Sequence, residues 1–225
     1  MNVLIYTVII NNYDTLSDVT GFQRENVTFK CYSNTHSKTE CEAKGWKSVV
    51  IEKPAFGYKN ACLENRILKF FEFTPGQYDI VVYLDGNKHI TNIDKLLEWC
   101  KELYDSDKQM ILSKHWGRNT VKEELSEVVM LGKCETHITN LEYNCFLKDG
   151  FKDDVGLYCA SVQIRKTTNA VNEFLKRWLD EYKKFQTRDQ LSLPYVIWKS
   201  NMLDKIKVIE TSELLSFVKH MRHLL

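Results

Sequence analysis

Short, continuously apolar runs alternate along this chain with segments whose apolar positions recur every three or four residues. VLIYTVII (3–10), VTFKCYS (27–33) and WKSVVIE (46–52) are short and rich in β-branched residues, which predicts strands. In NACLENRILKFFEF (60–73), Cys62, Ile67, Phe70 and Phe71 fall at helical spacing, and Pro75-Gly76 then stops that helix. YDIVVYL (78–84) lacks polar alternation, as expected of a strand covered on both faces. Beyond it, NIDKLLEWCKELYDS (92–106) forms an amphipathic helix with Ile93, Leu96, Leu97, Cys100 and Leu103 on one stripe. Further strands are predicted at 109–115, 156–166 and 205–210, and helices at 119–133, 136–148 and 169–185. Another helix begins near residue 189 and is shortened or kinked by Pro194. Alternating strands and helices imply a three-layer α/β arrangement around a mainly parallel sheet. No shift in composition marks a second domain, so 1–225 is expected to be one unit.

Composition narrows the function classes. A net charge of +1 gives no electrostatic basis for a nucleic-acid partner. The seven cysteines are odd in number and scattered, with no Cys-x-x-Cys pair, which fits small buried side chains in a reducing compartment. The first strand has no basic segment before it and no small-residue cleavage site after it, so it is not read as a signal peptide. No run approaches the roughly 18 apolar residues of a membrane span, and a cytoplasmic location is the expectation. The sequon at Asn26-Val27-Thr28 is then accidental. G-x-G-x-x-G, G-x-x-x-x-G-K-[ST] and G-x-S-x-G are all absent, which leaves dinucleotide oxidoreductases, P-loop nucleotidases and serine hydrolases unsupported.

Five places carry candidate chemistry. Asp85-Gly86-Asn87 ends a buried strand. It is either a tight hairpin turn or an oxygen-ligand site for a hard cation shared with substrate phosphates. Arg188-Asp189-Gln190 opens a helix; Thr187 with Gln190 would make a capping box, and Asp189 suits the helix dipole, but Arg188 stays unexplained. His115 and Arg118 follow one strand end and point to an anionic ligand, with Glu123 and Glu124 expected on a solvated face from which one could turn inward. Arg66 and Lys69 share a helix face, either as solvated stems or as diphosphate contacts. His220 and His223 share a face if the tail is helical, as a fraying end or as late metal ligands.

Nine stretches in fixed order resemble one family: YTVIINNYD, FKCYSN, GWKSVVIE, ENRILKFF, YDIVVYLDGNKHI, HWGRNTVKEEL, GLYCASVQIRK, FLKRWLDEY and RDQLSLPYVIWK. The chain resembles nucleotide-sugar glycosyltransferases of GT-A fold, in particular the glycosyltransferase-like group of plant mucilage- and pectin-related proteins with relatives in large algal viruses. The resemblance implies a Rossmann-like three-layer sandwich with a mixed, mainly parallel sheet. It further implies a nucleotide-diphosphate-sugar donor, UDP-linked by preference, and a glycan or other hydroxyl acceptor. A divalent cation, manganese or magnesium, would neutralise the leaving diphosphate. On this resemblance Asp85 and Asn87 take the Asp-x-Asp role, with Gly86 between them. Asn87 departs from the stricter pattern and lowers the ligand charge. His220, with His223 behind it, completes the metal shell. Asp189 and Gln190 contact the donor sugar, Arg66 the diphosphate, and Tyr6 and Thr7 the base and ribose. Lys69, His115, Arg118 and Arg188 are assigned to the donor site. Asp189 is the first choice for a catalytic base, with Asp154 and Glu124 as alternatives. Acceptor contacts are expected from 34–44 and 134–155. The rival expectation is a non-catalytic sugar- or nucleotide-binding module on the same fold. The chain would act as a monomer or as a domain of a larger transferase.

Overall fold

The computed structural model describes residues 1–51 and 73–223. Most of the helix expected over 60–73, with Arg66 and Lys69, lies outside the described residues. Seven strands form one sheet: β1 (Val3–Ile9), β2 (Val27–Ser33), β3 (Lys47–Val50), β4 (Ile80–Asp85), β6 (Met110–Lys114), β7 (Tyr158–Lys166) and β8 (Ile206–Ile209). Their order is β3-β2-β1-β4-β7-β6-β8. All neighbours run parallel except β7, which is antiparallel to both β4 and β6. The mainly parallel sheet expected from the sequence is therefore present, and each predicted strand matches an observed one.

Helices cover both faces. They are α1 (Lys38–Ala43), α2 (Ile93–Asp105), α3 (Val121–Met130), α4 (Thr136–Lys148), α5 (Asn169–Phe185), α6 (Asp189–Lys199) and α7 (Thr211–Leu215). On one face Ile5 and Ile9 of β1 and Val82 and Leu84 of β4 pack on Ile93, Leu96 and Cys100 of α2. On the other, Met110, Leu112 and Tyr158 pack against Leu125 of α3, Trp178 of α5 and Ile197 of α6. Leu4, Tyr6, Val8, Val81 and Tyr83 form a third buried group. Apolar residues alternate between faces along β1 and β4, and both faces are covered, which is why these strands read as unbroken apolar runs.

Local signals set the helix ends. Ser37 with Glu40 and Thr120 with Glu123 form capping boxes on α1 and α3. Gln186, in the left-handed region at φ 52°, ends α5. The predicted helix over 119–133 is trimmed to Val121–Met130 because the capping box starts it and Leu131 and Gly132 turn the chain. One other expectation fails. Thr187 does not cap α6; Arg188 is the N-cap and makes no side-chain cap bond. Pro194 lies inside α6, which runs on to Lys199, with Leu193, Val196 and Ile197 buried around the proline. The C-terminal tail is a strand, β9 (Val218–His220), instead of a helix, and it pairs antiparallel with β5 (Lys88–Ile90). No described helix is long and apolar enough to cross a membrane.

Candidate functional site

The parallel strands β1, β4 and β6 end at one edge of the sheet, where antiparallel β7 begins. Strand order reverses between β1 and β4, so a crevice forms beyond their carboxyl ends. Asp85 is the last residue of β4 and points to the Tyr83 face; the Tyr83 hydroxyl donates to its Oδ1 at 2.7 Å. The chain then turns through Gly86 and Asn87 into β5. Because β5 pairs with β9 and not with β4, Asp-Gly here is not the turn of a hairpin. Lys88 sits opposite His220 in that ladder, and the Asn87 carbonyl accepts from the Met221 N–H at 2.8 Å.

This ladder returns the C-terminus to the strand end. His223 Nε2 lies 3.0 Å from the Asn87 amide nitrogen, and its Nδ1 lies 2.6 Å from Asp14 Oδ1. With the Nδ1–H donating to Asp14, the lone pair of Nε2 faces the Asn87 amide N–H; the tautomer is inferred from these bonds. The His223 ring also packs 4.6 Å from that of Tyr13. Asn87 is 3% exposed, and its Oδ1 is buried with no hydrogen-bond partner. Gly86 is required by close approach: a Cβ there would lie 2.8 Å from Asp14 Cβ and Oδ2 and 2.9 Å from Ile9 Cγ1. His220, the expected late ligand, instead contacts Lys88 Nζ at 2.8 Å through its Nδ1. Burial lowers the basicity of His220, with the Lys88 charge adding to the effect. Burial also lowers that of Lys88, against the pull of Asp85. The tail is a strand and not a helix, so the helical face expected for His220 and His223 does not form, although their rings still meet edge-on with centroids 6.4 Å apart.

A second group lies beyond β6. His115, at the strand end, accepts the Gly117 and Arg118 N–H groups on Nδ1 at 3.2 and 3.0 Å. Burial holds its basicity below the usual imidazole range, against the raising effect of Glu124. Of the two glutamates that open α3, Glu123 takes the capping role on the surface and Glu124 turns inward, 2% exposed. Glu124 Oε2 accepts from Arg118 Nε at 2.7 Å, and Oε1 lies 3.9 Å from Arg188 Nε. That Arg188 nitrogen is buried and makes no hydrogen bond. Asp189 is buried at the start of α6, close enough to the Tyr83 hydroxyl to help raise its pKa, an effect dominated by burial and then by Asp85. Asp189 and Asp85 therefore approach Tyr83 from different elements. Gln190 follows, half-buried.

Thr187 donates to Glu142 Oε2 of α4 at 2.5 Å, which explains why it does not cap α6. Glu142 is 1% exposed, and burial pushes its pKa up to about 7.

Other predicted residues stand elsewhere. Tyr6 is not at a strand end: β1 continues to Ile9, and Tyr6 is enclosed mid-sheet, where its hydroxyl accepts from Arg165 at 2.7 Å. Burial pushes its phenol up to about 12. Thr7 is buried on the opposite face, its hydroxyl without a hydrogen-bond partner. Asp154 is exposed; its neighbour Asp153 accepts the Val121 and Lys122 N–H groups at the start of α3. Asp14, Tyr83 and Lys88 were not singled out from sequence. The abrupt polar stretch after β1, which ends in Asp14, was the local signal; its histidine partner is 209 positions away.

Among the described residues, no three His, Cys, Asp or Glu side chains are grouped to hold a metal ion. The group here is mixed: the Asp85 carboxylate and the unpartnered Asn87 amide oxygen, with histidine nitrogens behind them.

Solved structures share this architecture. The galactosyltransferase LgtC, in complex with donor and acceptor sugar analogues, is 13% identical with a TM-score of 0.51, over 91% of this chain and 72% of LgtC. The glycosyltransferase GlyE of Streptococcus pneumoniae TIGR4 is 10% identical with a TM-score of 0.48, over 93% of this chain. The chain spans only 45% of the length of GlyE. Glucosyl-3-phosphoglycerate synthase of Mycobacterium tuberculosis, in complex with Mn2+, UDP and glucosyl-3-phosphoglycerate, is 14% identical with a TM-score of 0.44, over 98% of this chain and 72% of that one. At such identities the likeness is one of fold, and the fold is of the GT-A type. No curated protein matches the chain. The model of the TOD1/MUCI70 glycosyltransferase-like domain matches residues 2–223, and the chain belongs to that family.

Proposed function

We propose that the chain is a metal-dependent glycosyltransferase that moves a sugar from a nucleotide-diphosphate donor, a UDP-sugar, to a hydroxyl of a glycan acceptor. The observation that carries this reading is the buried, unpartnered Asn87 Oδ1 beside Asp85 at the end of the central parallel strand. A buried amide oxygen without a donor is costly unless a ligand satisfies it. Two oxygen donors of this kind fit a hard cation, manganese or magnesium, that takes its remaining ligands from substrate phosphates. Asp85 and Asn87 would hold the ion, with His223 more directly placed than His220 to assist. A cation there would neutralise charge developing on the leaving diphosphate.

The chain's own groups do the rest. Tyr83 orients Asp85 through its hydroxyl. Asp14 fixes the ring of His223. Lys88 adds positive charge next to Asp85, where an anionic donor would lie. Asp189, near the Tyr83 hydroxyl, is the proposed base for the acceptor hydroxyl. Glu124 is committed to Arg118, and Asp154 is exposed. An inverting course requires that base; a retaining course does not.

Incubation with UDP-sugars and Mn2+ tests the reading: donor hydrolysis that Asp85→Ala abolishes supports it. UDP binding indifferent to both Mn2+ and Asp85→Ala would instead mark a non-catalytic module, the reading favoured by an amide where a second carboxylate is expected.

A further inference from the structure

The cleft past the end of β6 has the surfaces a sugar ring needs. Trp116 is 75% exposed, so its indole is accessible to a ligand. Its indole lies nearly parallel to the His115 ring, 26° between planes and 5.7 Å between centroids. His115 is itself buried and fixed by two backbone N–H groups. One face of the indole is thus backed by a rigid ring and the other is open. The cleft beside it encloses 320 Å³, within the range of small-molecule sites.

The polar lining decides the class of ligand. Lys114, Arg118, Asn119, Glu210 and Ser212 line the cleft together with Trp116. Both cations have carboxylates nearby: Lys114 lies 4.0 Å from Glu210, and Arg118 lies 2.7 Å from Glu124 and 3.8 Å from Glu127. The lining therefore offers donors and acceptors in mixed order and no surplus of positive charge. An anionic sugar would meet Glu210 and find no unpaired cation. A neutral pyranose presents C–H groups to an aromatic face and hydroxyls to such an edge.

The cleft adjoins the Asp85 site. Ser113 of β6 is the ladder partner of Cys159 in β7, whose sulfur lies 3.9 Å from the Lys114 carbonyl, and Lys88 lies near enough to interact with both Cys159 and Asp85. We propose that Trp116 is the stacking platform of an acceptor subsite, and that the acceptor presents a neutral saccharide ring to it. The word acceptor rests on the glycosyltransferase reading above; the saccharide contact does not.

Saturation-transfer NMR on the full chain tests this. The probes are neutral oligosaccharides of galactose, xylose, arabinose, mannose and glucose, with oligogalacturonate as the acidic counterpart; UDP with Mn2+ is titrated separately by calorimetry. At least one neutral oligosaccharide binds the wild type. Trp116→Ala weakens that binding by about tenfold or more, and Trp116→Phe keeps it within about threefold. Trp116 is exposed, so both variants fold, and both keep the wild-type response to UDP. The proposal is overturned if no neutral oligosaccharide binds, if Trp116→Ala binds as the wild type does, or if oligogalacturonate is preferred. A wild type that binds neutral saccharide through Trp116 but binds no UDP overturns the glycosyltransferase reading and not the platform.

Discussion

Nε2 of His223 lies 3.0 Å from the side-chain amide nitrogen of Asn87, although the two residues are 136 positions apart. The β5–β9 ladder makes this meeting possible, and Asp14 holds the imidazole from behind at 2.6 Å. The amide nitrogen is thereby occupied, while the amide oxygen stays buried and unbonded.

That division of the amide predicts its metal behaviour. Asn87→Ala should weaken Mn2+-dependent UDP binding by about 10- to 100-fold, as should His223→Ala. Asn87→Asp adds ligand charge and should tighten it by about tenfold. EDTA should reduce all of them to a common weak affinity. Calorimetric titration of UDP with and without Mn2+ reads each case, and equal affinities across the series would remove Asn87 from the site.

Gly86 permits Asp14 and Ile9 to close over the strand end. Gly86→Ala puts a Cβ inside 3 Å of both side chains. Asp14 is tied to His223 and Ile9 is buried, so neither can retreat freely. The expected cost is about 1–3 kcal/mol in urea unfolding. A variant as stable as the wild type would show that the approach is looser than described.

Glu124 is the carboxylate that the Arg118 and Arg188 guanidinium groups share. Removing it leaves two partly buried cations without their common counter-charge. Glu124→Ala should destabilise the fold by about 2–4 kcal/mol, most of it recovered in an Arg118→Met/Glu124→Ala pair. Denaturant midpoints of the single and paired variants check this.

Glu142 is pushed up to about 7 by burial, with the Thr187 hydroxyl bond opposing and the nearby Glu181 charge reinforcing it. The folded chain then holds a proton that the unfolded chain, near pKa 4.3, releases. The stabilisation is complete below the unfolded value and is lost as pH rises through about 7. Glu142→Gln keeps an acceptor for Thr187 and never ionises. It should flatten the fall in Tm between about pH 4.5 and 7 and raise Tm above neutrality. A thermal-melt series across this range decides it; identical profiles for both proteins would place the titration elsewhere.

Much of the architecture could be read from local pattern. Strands at 3–10, 27–33 and 78–84 and the helices over 92–106 and 169–185 appear where their periodicity placed them, because period reports which side of an element is buried. The misreadings share one cause. Thr187 and Gln190 look like a capping box, but the Thr187 hydroxyl bonds Glu142 on another helix. For Glu123 and Glu124 the sequence allows one to turn inward without naming it; the helical turn separates their directions by about 100°, and packing selects Glu124. Tyr6 looked available to a ligand until the sheet enclosed it on both sides.

By itself, the sequence determined that a covered parallel strand ends in Asp85-Gly86-Asn87, and that strands and helices alternate around it. Those properties follow from the burial of neighbouring residues, which a local window records. Only the tertiary structure decided that β5 pairs with β9, that Asp14 and His223 enclose Asn87, and that His220 turns to Lys88. Such contacts span 132 to 209 positions, and hydrogen-bonding groups leave no periodic trace of a partner brought close only when the sheet is assembled.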